Sequence, residues 1–361
     1  MTIKMLRFFA CLAGCFCLTR PALAWNAEGH MIVAQIAYNH LDPAVKAQCT
    51  NLIAVAVYHS SSINSNFVTA GPWADDIKSY TTNYDDSHYI DIGLSLDGYP
   101  TNQVANDESN VVAAINQCIA TLQDSSQSQS NQAVALRFLI HFVGDIQQPL
   151  HATTGVSSNM HTGDLGGNSF LINDGSITKL HALWDDGGGF LTDSITRPLT
   201  PTSQATLNSK AAICETAYPY SFSVGSIPDP MSWALESRLL ASNTAYVGIS
   251  SNTTPSVAYT NAAQNTTIQR MAIGGQRLAK LLNTIFVTNA PVLNASAFVD
   301  PNFNFSWTSI SGRTYRVQMK QQMTDTNWTD LVDITATGGL TTFTTNSASS
   351  PQLFFRAIVV N

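Results

Sequence analysis

Charge is the first thing this 361-residue sequence is short of. Only 11% of its residues are Asp, Glu, Lys or Arg, against roughly 25% in an average globular protein. Ser, Thr, Asn and Gln must therefore carry much of the surface. Basic residues are the scarcer kind, 17 Lys and Arg against 24 Asp and Glu, for a formal charge of −7. That balance argues against a basic stripe tracking duplex phosphates over many contacts. A phosphate ester handled by this chain must meet positive charge supplied by something bound. Cysteine is scarce too. Cys11, Cys15 and Cys17 lie in the first 24 residues, leaving Cys49, Cys118 and Cys214. Three cysteines allow at most one internal disulfide, which excludes a disulfide framework and leaves the pairing open. There is no internal repeat, and the apolar stretch at residues 8–18 is shorter than the about 20 residues a membrane-spanning helix needs.

What is present begins with a leader. Lys4 and Arg7 precede that apolar stretch, and Ala22-Leu23-Ala24 is a small-residue cleavage site, the pattern of a secretory signal peptide over residues 1–24. A lipoprotein box at Leu12-Ala13-Gly14-Cys15 is the lesser reading, because the apolar run continues past Cys15. The expectation is a secreted or periplasmic protein starting at Trp25. Cleavage removes Lys4, Arg7 and Arg20 and no acid, which moves the formal charge from −7 to −10.

From Trp25 to about Phe286 the texture is helical. Apolar residues recur at helical spacing over residues 32–41, 111–122, 132–146 and 266–286, with a polar loop expected at 125–131. Then the period changes to two: Phe303, Phe305, Trp307; Tyr315, Val317, Met319; Phe355, Ala357, Val359. Such alternation reads as strands. The expected organisation is a helical domain at 25–286, a linker at 287–301 and a small all-β, sandwich-like module at 302–361. The fold class is mainly α.

Four local patterns hold five of the eight histidines. They are Trp25-Asn26-Ala27-Glu28-Gly29-His30; Trp73-Ala74-Asp75 followed by His88-Tyr89-Ile90-Asp91; the run from His141 through Asp145 to His151; and His181-Ala182-Leu183-Trp184-Asp185. On a helix, His141 and Asp145 share one face, and so do His181 and Asp185. Imidazole and carboxylate are standard zinc ligands. An unpaired His141 in an otherwise apolar helix would be costly to bury. One such pair is a weak signal; all four patterns in order are a strong one. His40, His59 and His161 fit none of them and read as ordinary surface or loop residues.

In that order, W-N-x-x-G-H, W-A-D, H-Y-I-D, H-F-x-G-D-x-x-Q-P-L-H and H-x-x-W-D resemble the S1/P1 nucleases, over residues 25 to about 283. The resemblance implies a mostly helical fold shared with zinc-dependent phospholipases C, and three zinc ions in a cleft. It implies one zinc on Asp75, His88, His141 and Asp145, and a second on His151, His181 and Asp185. A third would take His30, a bridging Asp145, and the amine and carbonyl oxygen of Trp25. It further implies catalytic roles for Asp75 and Lys78, and a base-binding role for Tyr89 and Asp91, with Asn168 beside the metals. The implied activity is hydrolysis of single-stranded DNA and RNA to 5′-phosphate products, with 3′-nucleotidase activity in addition. Nucleic acid or nucleotides would be its partners, with no stable protein partner and no membrane span. A phospholipase C on the same zinc framework is the alternative. In that branch the last ligand is usually Glu where this chain has Asp185, and the step from the first Trp to the first His is longer. The β-module lies outside the family pattern, and a spacer role is its expected one.

Amino-terminal sequencing of the exported protein should give Trp25 as the first residue. A form carrying one extra residue before Trp25 should lose metal and activity; full retention of both would sink the ligand role of the terminal amine.

Overall fold

A computed structural model describes residues 25–105, 108–192, 194–221, 229–287, 291–299, 302–309, 314–346 and 352–360. The leader and its cleavage site lie outside the described residues. The helices are α1 (Ala27–His40), α2 (Pro43–Ala54), α3 (Trp73–Asp76), α4 (Val111–Gln123), α5 (Gln129–Asp145), α6 (Leu180–Asp185), α7 (Pro201–Ala217), α8 (Pro230–Leu240) and α9 (Val257–Val287). Their starts are legible. Asn110, Ser128, Thr200 and Asp229 each accept a hydrogen bond from a first-turn amide, and Pro201 and Pro230 follow two of them, where a missing N–H costs nothing.

Two boundaries differ from the sequence expectation. The polar run expected to be a loop as far as Asn131 already turns into α5 at Gln129, because the Ser128 hydroxyl accepts from the Asn131 amide at 3.1 Å. The last helix begins at Val257, nine residues ahead of the apolar periodicity, and Tyr259 and Ala263 of the added stretch are buried beside Leu183 and Trp184.

α1 runs through the middle of the main core, buried from Glu28 to Ala37, against α5, α7 and α9. Its approach to α9 depends on Gly275, where a Cβ would come within 2.5 Å of the Ile36 Cβ. Beneath the surface Arg137 of α5 is 1% exposed and donates to the Asn64 and Ile53 carbonyls at 2.8 and 2.9 Å. It thereby ties α2 and the loop after it to α5. Two short pairs complete this region: β1 (Gly93–Ser95) parallel to β2 (Thr154–Val156), and β3 (Leu171–Asp174) antiparallel to β4 (Ile177–Lys179).

The carboxy-terminal part is β5 (Leu293–Val299), β6 (Asn302–Thr308), β7 (Thr314–Lys320), β8 (Thr329–Thr335), β9 (Leu340–Asn346) and β10 (Phe354–Val360). They form two antiparallel sheets, β5-β6-β9 and β10-β7-β8, around Phe305, Trp307, Tyr315 and Val317. The alternating aromatics of the sequence are the residues that meet between the sheets. β5 falls in the stretch expected to be a linker. Its sequence alternates small and polar residues, so the period-2 signal is faint, and its pairing with β6 is what makes it a strand.

The three cysteines of the helical region are buried and unpaired. Burial pushes each thiol up to about 12, so they are inert packing groups. Replacing Arg137 by Met should destabilise the protein by about 2–4 kcal/mol, since two buried carbonyls lose their donors. Urea denaturation measures this; a loss under about 0.5 kcal/mol would contradict the role.

Candidate metal centre

Each residue of the first motif has a task. The Trp25 indole, fully buried, donates to the Gly144 carbonyl at the end of α5 at 3.0 Å. The Asn26 side chain caps α1 through the Gly29 amide and donates to Asp186, while its backbone amide reaches the Asp185 carbonyl at 3.2 Å. The start of the described chain is thus held between the two helices that carry His141 and Asp145, and His181 and Asp185. His30, one turn into α1, then faces Asp145, with Nε2 3.3 Å from Oδ1. It comes that close because position 144 is glycine: a Cβ there would lie 3.0 Å from His30 Nδ1.

The i, i+4 pairs behave as their spacing predicts. His141 Nε2 lies 3.2 Å from Asp145 Oδ2, and His181 Nε2 lies 3.4 Å from Asp185 Oδ2. His88 brings Nδ1 to 2.9 Å from Asp145 Oδ2 and 3.0 Å from His141 Nε2. Asp75, on α3, stands 3.6 Å from His141 Nε2 and 3.8 Å from both His88 Nδ1 and His30 Nε2. His151, just past the Pro149 turn, puts Nε2 3.8 Å from Asp185 Oδ1. A tetrahedral ion with bonds of about 2.0–2.1 Å has neighbouring ligand atoms about 3.3 Å apart, and these separations straddle that value. Three groups could each hold a metal ion: His30, Asp75 and His141; His88, His141 and Asp145; His151, His181 and Asp185. Asp75 and His30 thus share one group, beyond the sets implied by resemblance.

Tautomers give a second test of fit. His141, His151 and His181 each donate Nδ1–H to a backbone carbonyl, of Gly71, His88 and Gly166, at 2.7, 2.9 and 2.6 Å. Nε2 is then a bare lone pair. In His151 and His181 that nitrogen is buried with no hydrogen-bond partner, as are Nε2 of His30 and Oδ1 of Asp145. Buried orphans of this kind are costly, and a cation satisfies them together; a histidine whose other nitrogen is held by a carbonyl is the usual metal-ligating arrangement. Burial drives His30, His88 and His151 well below their ordinary range and His181 down to about 4, which keeps the imidazoles neutral. Burial pushes the carboxyls of Asp145 and Asp185 up. His141 is the exception: burial lowers it, but Asp145 and Asp75 outweigh that and raise it.

The other expected residues line a cavity of about 260 Å³ beside the centre, which Lys78, His88, Tyr89, Asp91, His151 and Asn168 share. Lys78 reaches Asp75 Oδ1 at 2.9 Å. Tyr89 is 37% exposed, and its hydroxyl donates to Asp86. Asn168 donates to the Leu165 carbonyl. His40, His59 and His161 belong to none of the three groups. Sequence reasoning gave no role to Gln148, which donates to Asp185 Oδ1 at 2.8 Å and orients it. It also passed over Asp164, buried, which accepts from the Gly155 and Gly167 amides and the Tyr246 hydroxyl and so holds the loop whose Gly166 carbonyl fixes His181. Gln148 is a letter of the H-F-x-G-D-x-x-Q-P-L-H pattern, but nothing in the sequence gives it Asp185 as a partner.

The chain is similar to known nucleases over its helical part. A family model described as S1/P1 Nuclease matches residues 25–287. Nuclease P1 of Penicillium citrinum is 31% identical over 170 residues, 45% of this chain and 57% of that protein, so the chain spans little more than half of that relative's length. Endonuclease 2 of Arabidopsis thaliana is 28% identical over 278 residues, 73% of this chain and 90% of its own. Endonuclease 4 of the same plant is 27% identical over 314 residues, 79% and 97%.

Changing Asp145 to Asn should lose bound metal and activity, because its two oxygens face two groups of ligands; His161→Ala should change neither. Metal analysis by mass spectrometry decides it, and equal metal content in the two variants would contradict the assignment. Metal uptake by the wild type should also weaken from pH 7.5 to pH 5, since His141 and Asp145, both raised, must give up protons to bind.

Proposed function

The chain belongs to the S1/P1 nuclease family over residues 25–287, and from that premise and the geometry of the centre we propose a zinc-dependent endonuclease, exported after cleavage at Ala24. It hydrolyses phosphodiester bonds of single-stranded DNA and RNA to 5′-phosphate ends, with 3′-nucleotidase activity besides. The observation that carries this is the set of imidazoles with Nδ1 spent on carbonyls and Nε2 turned to buried carboxylates, beside a cleft with one lysine and one exposed tyrosine. The relatives are named nucleases and endonucleases; nothing comparable favours the phospholipase C reading.

Nine residues would hold the three ions: Trp25 by its amine and carbonyl oxygen, His30, Asp75, His88, His141, Asp145, His151, His181 and Asp185. When bound, the ions supply positive charge and a nucleophile active at neutral pH. The residues of the chain do the rest. Asp75 orients the attacking water. Lys78, held by Asp75 at 2.9 Å, places its ammonium against the phosphoryl oxygens, where charge grows in the transition state. Tyr89 stacks on one base, and Asp91 hydrogen-bonds that base's edge. Asn168, which lines the same cavity, contacts the nucleotide there.

Substrate choice follows from the same parts. An unpaired base can splay onto Tyr89. A paired base must first leave its stack, at a cost of roughly a few kcal/mol, and a chain whose formal charge after cleavage is −10 has little basic charge with which to offset this along a rigid duplex. None of the helices searched is long and apolar enough to cross a membrane.

The test is incubation of the purified protein starting at Trp25 with single-stranded DNA, RNA, duplex DNA and phosphatidylcholine, with and without chelator. Single strands should be cut well ahead of duplex, and only without chelator. Tyr89→Ala should weaken single-strand binding by about 1–3 kcal/mol with metal content intact. Equal cutting of duplex and single strands would defeat the stacking account, and release of diacylglycerol in place of nucleotides would defeat the nuclease reading.

A further inference from the structure

Lys78 lines two cavities. One is the Tyr89 cleft, and the other is a groove of about 660 Å³ that also takes in Asp75, His59, Tyr80 and Arg197. The groove therefore begins at the candidate metal centre and leads away from it on the far side of Lys78. Its floor is aromatic. The His59 ring stacks on Tyr80, centroids 3.7 Å apart at 15°, and takes the Tyr58 ring edge-on at 4.1 Å. Tyr80 is 61% exposed and Tyr58 57%. Two large rings left that open, on a chain with few charges to surround them, are an unusual expense of apolar surface.

The platform is also rigid. His59 sits at φ +51°, in the left-handed region, which a non-glycine residue adopts only where its surroundings impose it. The surroundings are visible. The Trp73 indole donates to the Tyr58 carbonyl at 3.0 Å, and the buried Asn64 side chain donates to the His59 carbonyl at 3.3 Å. Asn64 is held in turn by buried Arg137. Trp73 opens α3, the same four-residue helix that carries Asp75. The ring stack and the metal-facing carboxylate are thus fixed to one another through a single tryptophan.

We propose that this groove is a second base-binding subsite, in which Tyr80, backed by His59, stacks on the nucleotide that lies across the scissile phosphate from the one on Tyr89. The inference rests on the nuclease reading and deepens it: Lys78 stands between two aromatic platforms, one for the base on each side of the bond to be cut. Stacking suits the groove better than charge pairing does, because its cations are already engaged, Arg197 by Asp76 at 2.7 and 2.9 Å and Lys78 by Asp75. A stacking site of this kind accepts any base.

The zinc-loaded protein is assayed on a hexathymidylate, with free thymidine 5′-monophosphate as competitor, for the wild type and for Tyr80→Ala and Tyr80→Phe. Tyr80→Ala should raise the KM for the oligonucleotide by about 5- to 150-fold, the effect of losing one stacked base. The inhibition constant of the mononucleotide, which the Tyr89 cleft alone can hold, should stay within about twofold, as should zinc content. Tyr80→Phe should restore the wild-type KM, since it keeps the ring. An unchanged oligonucleotide KM in Tyr80→Ala overturns the subsite. So does a parallel rise in KM and inhibition constant, or a Phe variant as weak as the Ala one, because either marks general disruption of the centre. Failure of the nuclease reading shows separately, as a wild type that does not cut hexathymidylate at all.

Discussion

The carbonyl oxygens of Gly71, His88 and Gly166 each take the Nδ1 proton of a site histidine, and the chemistry of the centre depends on where those three oxygens stand. An imidazole so held has one tautomer and one orientation, and its remaining nitrogen is a lone pair with a fixed direction. Move a carbonyl and the histidine regains its choice of proton. The three oxygens come from three different connections: the turn before α3, the segment after His88 and the Gly166-Gly167 loop. The centre is therefore as good as its loops, and the loops are braced accordingly. Asp164 holds the glycine loop by two amides and a tyrosine hydroxyl. The His88 and His151 segments hold each other, Ile90 N–H donating to the His151 carbonyl while His151 donates to that of His88.

Without a cation this arrangement opposes itself. The buried carboxyls of Asp145 and Asp185 are raised, so above their folded pKa they cost stability; the buried histidines lowered below their ordinary range cost stability as pH falls. No single pH relieves both. A divalent ion does, because it favours ionised carboxylate and neutral imidazole at once, and its binding free energy adds to folding. The same exchange would invert the sign of the cleft: with divalent ions bound, three carboxylates in an acidic chain would become a positive site, which would answer the shortage of basic residues seen in the composition.

How much of this the sequence discloses follows from the range of each interaction. The pairs His141 with Asp145 and His181 with Asp185 were legible because helical period alone sets their geometry. The alternating Phe305, Trp307, Tyr315 and Val317 were legible for the same kind of reason, and they form the core between the two small sheets. Gln148 on Asp185 and the Gly166 carbonyl on His181 were not, because each depends on loop paths that no local period encodes. Nor was the His59 ring stack, where Trp73 and Asn64 donate to the Tyr58 and His59 carbonyls beside a positive φ. The strand β5 was missed where its alternation is written in small and polar residues. Sequence patterns thus picked out the candidate ligands, and tertiary structure showed what aims them.

The first motif shows how fold and site became one problem. Trp25 donates to Gly144, the residue before Asp145, and the Asn26 amide donates to the carbonyl of Asp185 itself. Those two carboxylates belong to different groups of ligands, on helices 35 or more residues apart in the chain. Their separation is set by two adjacent residues at the mouth of α1. That helix is buried on nearly every face, so it cannot shift to accommodate a misplaced partner. The glycine at 144 completes the constraint, since it lets His30 descend onto Asp145 while Trp25 closes over the same turn. A side chain at 144 would crowd the His30 ring first, at 3.0 Å from Nδ1, and so push that imidazole off Asp145.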